Sequence, residues 1–251
     1  CCASTGSRLL FSTYLGGTYY DAAHALSVDS LGRTWLTGYT YSCDFPTVNP
    51  YQATKSGVTD FTVFFSQLDS TGSVLLCSGF VGGQGNTVGY GINAAPGDGF
   101  CLAGITGADD FPTANPYQPS RGGGQDLFVC SFSSPTNLVF STYLGGAGEE
   151  EAFPGCSRRG DDGAFFVVGD TLSSDFPTHD PYQPSRAGGE DAFVTAFAPG
   201  GDLLFSTYVG GAAQDVACGV AVGTDGEVYL AGETASFNFP TLLAYQPSYI
   251  G

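Results

Sequence analysis

Residues able to do chemistry are few and scattered in this chain. It holds two His, His24 and His179, far apart in sequence. There is no His cluster and no HExxH run, so zinc hydrolysis has no ligand set. Neither a GxSxG elbow nor a P-loop occurs. The most charged stretch is Glu149 to Gly163, EEEAFPGCSRRGDDG. Arg158 and Arg159 stand there at positions that carry apolar residues elsewhere in the chain. Burying two unpaired guanidiniums is costly, so they must meet carboxylates or water. Glu149 to Glu151, Asp161 and Asp162 are the nearby partners. A ligand or partner site is expected around Arg158, Arg159, His24 and Tyr90; the plainer alternative is a local ion-pair cluster.

Acidic residues recur by position. Asp44, Asp110 and Asp175 precede an FPT triplet, with Asn238 in the fourth copy, and Asp60, Asp126 and Asp191 open predicted strands. Calcium is the cation such oxygens would suit, but no DxDxDG spacing is present. Asp that caps turns through backbone bonds explains the pattern better, and no cofactor is expected. The chain has 8 Cys and no Met. Eight Cys in an acidic, Lys-poor chain point to an oxidising, extracellular setting, the alternative being a cytosolic chain with buried thiols. Cys101 with Cys130 on neighbouring strands is the first expected disulfide, and Cys156 with Cys218 on adjacent inner strands the second. Cys43 and Cys77 share one repeat. Cys1 and Cys2 could secure a closure or link two molecules. Spacing leaves the connectivity open.

The elements that must position these residues come from a repeat. FSTYLGG spans Phe11 to Gly17 and returns at Phe140 to Gly146, as FSTYVGG at Phe205 to Gly211, and as CSGFVGG at Cys77 to Gly83. Starts at 11, 77, 140 and 205 give steps of 66, 63 and 65. FPT at Phe45, Phe111, Phe176 and Phe239, and Tyr-Gln at Tyr51, Tyr117, Tyr182 and Tyr245, keep the same period, the mark of a repeat architecture. Within a period, alternating small and branched residues flank turn signals, as in Ala217–Gly232 around Thr224-Asp225-Gly226, and predict a β-hairpin. Ala25–Gly38 and Gly91–Gly104 repeat it. Third strands follow at Asp60–Leu68, Asp126–Phe132 and Asp191–Phe197, and FSTYLGG itself is the fourth. Four antiparallel strands per period and no helical pattern match a blade of a β-propeller. The expected fold is all-β: one domain over 1–251, an outer strand at 7–17, and repeats at about 18–83, 84–146, 147–211 and a partial 212–251. Inner strands, Leu26 and Val28 among them, should be covered on both faces by neighbouring blades.

The order FSTYLGG, a GIAVD-like strand, DSxGxxYLTGYT, DFPT, then YQ resembles the SBBP family of bacterial β-propeller repeats. The likeness covers essentially the whole chain. It implies the propeller fold and a secreted or surface protein, and supplies no catalytic residues; four repeats rather than the family's seven are present.

Charge narrows the partners. With 24 acidic against 7 basic residues the formal net charge is −17, which repels nucleic acid and anionic lipid. No apolar run of about 18 residues exists to span a membrane. Aligned on the repeat, the chain begins inside a third strand and stops just before one. Leu9, Leu10, Phe11 and Tyr14, with Cys1 and Cys2, are therefore expected either to complete the last blade of the same chain, or to complete that of a neighbouring chain head to tail, or to belong to a longer protein. The function expected is a secreted structural or adhesive protein, such as a filament or surface-assembly subunit, rather than an enzyme. A module binding a glycan or surface protein, with Tyr19, Tyr20, Tyr39 and Tyr41 stacking on sugars, is the alternative.

Overall fold

A computed structural model describes residues 1–2 and 7–250. Among them there are fifteen β-strands and no helix. The first sheet is β1 (Asp21–Val28), β2 (Thr34–Thr40), β3 (Thr62–Leu68) and β4 (Leu75–Val81), in that order and antiparallel. The second repeats it with β5 (Thr87–Ala94), β6 (Phe100–Thr106), β7 (Asp126–Ser134) and β8 (Asn137–Leu144). In the third, β11 (Phe165–Thr171), β12 (Asp191–Phe197) and β13 (Leu203–Val209) follow an inner strand broken into β9 (Glu150–Glu151) and β10 (Ser157–Arg159). The fourth is a hairpin, β14 (Asp215–Val222) and β15 (Val228–Thr234).

Consecutive sheets pack on one another: β1 and β2 on β5, β10 on β5, and β11 and β12 on β14. Third strands lie between faces, so every residue of β3 and β12 is buried, and their near-continuous apolar runs follow from that. Between the first two sheets Phe100 lies 4.5 Å from Trp35 and 4.6 Å from Phe132, ring centre to ring centre. Each such ring is worth roughly 1.5–3 kcal/mol on burial. Inner hairpins share one device. The strand bulges at Ala23/Ala25, Gly89/Gly91 and Ala217/Gly219. The bulge pushes a carbonyl at its partner, so a Cβ on Gly38, Gly104 or Gly232 would lie 1.9 Å from a backbone oxygen. Only Gly fits there.

Three expectations need correction. Phe11–Gly17 forms no strand and does not join β14–β15: instead Leu9 bridges Cys2, the Cys1 ammonium donates to Phe11 O at 2.8 Å, and Leu10 N donates to Cys1 O at 2.8 Å. The last hairpin is thus not completed by Leu9, Leu10, Phe11 or Tyr14 of its own chain. Second, Leu26 and Val28 are 64% and 57% exposed, because among the described residues β1 packs against the neighbouring sheet only through its contact with β5. Third, all eight Cys are free thiols. In the β6–β7 register Cys101 faces Ser131 while Cys130 faces Leu102, so the two sulfurs leave on opposite faces of the sheet. Cys156 is buried between the second and third sheets while Cys218 sits at the β14 bulge. Cys43 is exposed and Cys77 buried, and Cys1 and Cys2 are exposed.

Candidate functional site

The recurrent carboxylates hold the loops together. Asp44, Asp110, Asp175 and Asn238 each accept the backbone N–H of a residue just after the GG step: Thr18 at 2.8 Å, Gln84 at 2.6 Å, Ala147 at 2.9 Å and Ala212 at 2.8 Å. Asp126 and Asp191 accept loop N–H groups of Gly122 and Ala187, each at 2.8 Å, and the side-chain amides of Gln118 and Gln183. A third set was missed in the sequence. Asp21, Glu150 and Asp215 open the inner strands, each accepting from a GG amide and from Thr and Ser hydroxyls; for Asp215 these are Gly211 N at 2.7 Å, Thr234 at 2.5 Å and Ser236 at 2.8 Å. Their shared place four residues after the last Gly of FSTYLGG or FSTYVGG was the available signal. Among the described residues no group of three or more His, Cys, Asp or Glu is arranged to hold a metal.

The motif tyrosine ties the fourth strand to the FPT loop. Tyr143 Oη accepts from Phe111 N at 2.9 Å and donates to Ala108 O at 2.8 Å. Tyr208 Oη accepts from Phe176 N at 3.0 Å and donates to Ser173 O at 2.9 Å. Both rings are 1% exposed. Two bridges flank each bond: Ala114–Ser141 and Gln118–Tyr143, then His179–Ser206 and Gln183–Tyr208. Tyr14, in the first copy, is fully exposed and makes no such bond. Its counterpart loop closes on itself, Phe239 N donating to Ser236 O at 3.3 Å, with Leu242, Leu243 and Tyr245 exposed. Beside it a largely apolar groove of about 310 Å3 is lined by Ala192, Val209, Ala217, Leu230 and Phe239. In the other sheets the FPT ring meets a third-strand Phe, as Phe176 meets Phe193 at 4.5 Å.

Arg158 and Arg159 lie at the opposite region of the inner strands, where three hairpin turns converge on a cavity of about 600 Å3. The register makes Ser27, Asn93 and Arg158 equivalent, each one residue before the end of an inner strand. Ser27 Oγ accepts Ala94 N at 3.0 Å, Asn93 donates to Ser157 Oγ at 2.9 Å, and Asn93 Oδ1 accepts Arg159 N at 3.3 Å. Arg33 bridges Asp29 at 2.6 Å and Asp98 at 2.7 Å, and the Asp98 bond leads in holding its guanidinium above its ordinary pKa. Among the described residues Arg158 and Arg159 have no ion pair, with neither Glu149–Glu151 nor Asp161 or Asp162.

The other two members of the expected site lie elsewhere. His24 and Tyr90 are bulge residues on β1 and β5 and stack at 4.9 Å, with Tyr39 edge-on to His24 at 5.2 Å. Burial lowers the His24 pKa, which favours the neutral ring. Neither lines the arginine cavity. Tyr39 and Tyr41 pack on Phe61, while Tyr19 and Tyr20 are exposed. No helix among the described residues is long and apolar enough to cross a membrane. No protein-family model matches the sequence, and no curated protein matches it either.

Proposed function

We propose that the sheets are blades of a β-propeller of the SBBP kind, and that the protein is an extracellular structural or adhesive subunit whose copies join head to tail. In this reading Phe11–Gly17 of one copy docks on the loop from Ser236 to Gln246 of the next. The observation that carries it is Tyr14. Its equivalents Tyr143 and Tyr208 are buried on an FPT loop, whereas Tyr14 is fully exposed and Phe239 N donates to Ser236 O rather than to a fourth-strand tyrosine. The docked segment would gain the two bridges and the two Oη bonds that hold β8 and β13, by strand addition. A heterologous contact of this type builds filaments when it does not close. Secretion is supported by the acidic, Lys-poor composition. Scaffolding rather than catalysis is supported by the placement of His24 in an aromatic stack and of His179 on the surface beside Asp180.

Light scattering over a concentration series, with negative-stain microscopy, tests this. The unmodified chain is expected to form linear oligomers and Tyr14→Ala to shift them to monomers. A chain that stays monomeric throughout, or a Tyr14→Ala variant that assembles unchanged, rejects the reading.

A further inference from the structure

We propose that the cavity at Arg158 and Arg159 binds the carboxylate of an acidic sugar, a uronic acid unit presented by a polysaccharide. The inference stands apart from assembly, since it uses other residues at another region of the molecule. It begins with charge. Three of the chain's 7 Lys and Arg, namely Arg33, Arg158 and Arg159, line this one cavity of a chain carrying −17. Arg33 is taken up by Asp29 and Asp98. Arg158 and Arg159 are left without a carboxylate among the described residues, although the acidic residues of the same stretch are close in sequence. Arg158 is exposed, and lines both this cavity and an adjoining one of about 310 Å3 along the inner strands. Guanidinium forks suit planar, two-oxygen anions.

The remaining lining selects among anions. Asp98 and Asp161 also face the cavity. They oppose a doubly charged phosphate or a densely sulfated chain, but they accept hydrogen bonds from neutral hydroxyls. Ser30 and Asp161 have no hydrogen-bond partner among the described residues and so are free to meet a ligand hydroxyl. One carboxylate on a hydroxylated ring is the chemistry that satisfies both halves. The volume of about 600 Å3 falls in the usual range for small-ligand sites, roughly 300–1,000 Å3. The wall is firm, because Ser27, Asn93 and Ser157 hold the three inner strands to one another by hydrogen bonds.

The test is calorimetric titration with methyl galacturonoside, which carries one carboxylate on one ring, with its methyl ester (same ring, no charge) and with inorganic sulfate. The acid is expected to bind, the ester at least about tenfold more weakly, and sulfate not to compete at equal concentration. Arg158→Gln, at an exposed side chain, and Arg158→Ala/Arg159→Ala should each lower affinity for the acid about tenfold or more with an unchanged thermal transition. Arg158→Lys/Arg159→Lys should fall between. Failure of the acid to bind, equal binding of the ester, equal competition by sulfate, or unchanged affinity in Arg158→Gln overturns the proposal. Tyr14→Ala should leave the titration unaltered, which separates it from the assembly reading.

Discussion

Changing Tyr208 to Phe removes one oxygen and nothing else. That oxygen accepts from Phe176 N at 3.0 Å and donates to Ser173 O at 2.9 Å, in a place where Tyr208, Phe176 and Ser173 are at most 3% exposed. A buried donor and a buried acceptor then lose their partner. The cost is about 1–3 kcal/mol for each group left unsatisfied. The first sheet restrains this figure, because Phe80 occupies the same position there without a hydroxyl. A total of about 2 kcal/mol is therefore expected. At this chain length about 1 kcal/mol moves Tm by roughly 2–4 °C, so Tyr208→Phe should lower it by about 4–8 °C in calorimetry. Tyr14→Phe deletes the same oxygen from a fully exposed side chain that has no hydrogen-bond partner for it among the described residues, so Tm of the monomer should not move. If Tyr14 makes the equivalent bonds to the next copy, about 2 kcal/mol appears as a roughly 30-fold weaker association. Light scattering reads that shift. An unaltered Tm in Tyr208→Phe, or an equal loss in Tyr14→Phe, would refute the reasoning about the motif tyrosine.

Three further outcomes are expected. Burial, reinforced by Glu190 and then by Glu151 and Glu150, pushes the Asp170 carboxyl up to about 9, and burial pushes Glu150 to about 7. The folded chain then keeps protons that the unfolded chain releases from about pH 4 upward, so stability should fall as pH rises through that window. Asp170→Asn should flatten the fall between about pH 4 and 9 in urea midpoints; an identical slope counts against the assignment. Iodoacetamide at pH 8 should label the exposed Cys1, Cys2 and Cys43 in the folded chain and spare Cys77, Cys130 and Cys156, whose thiols burial pushes to about 12; mass spectrometry finding a Cys101–Cys130 bridge would contradict the register. Arg33→Ala severs the tie between the turns at Asp29 and Asp98, partly exposed bonds, and should cost about 1 kcal/mol by chemical denaturation, a loss that added salt should reduce.

The repeat, the strands and the hairpin turns were legible in the residues themselves, because alternation, Gly-containing turns and a recurring motif are local or periodic properties. Gly32, Gly97 and Gly226 do adopt positive φ at the predicted turns. Local capping holds at Asp126 and Asp191, which accept N–H groups four residues away, whereas Asp44, Asp110 and Asp175 accept N–H groups 26, 26 and 28 residues away, a tie between loops that local spacing does not show. What strand alternation alone left open was facing. Cys101 and Cys130 sit on adjacent strands, but a one-residue offset in register puts them on opposite sides of the sheet. The same arithmetic groups Arg158 with Ser27 and Asn93, and parts it from His24 and Tyr90. Tertiary structure alone decided that Phe11–Gly17 leaves β14–β15 open. Phe11–Gly17 is identical in sequence to Phe140–Gly146, most of which belongs to β8, and such a segment becomes a strand only where a third strand stands beside it, since its hydrogen bonds are made across the sheet rather than within itself.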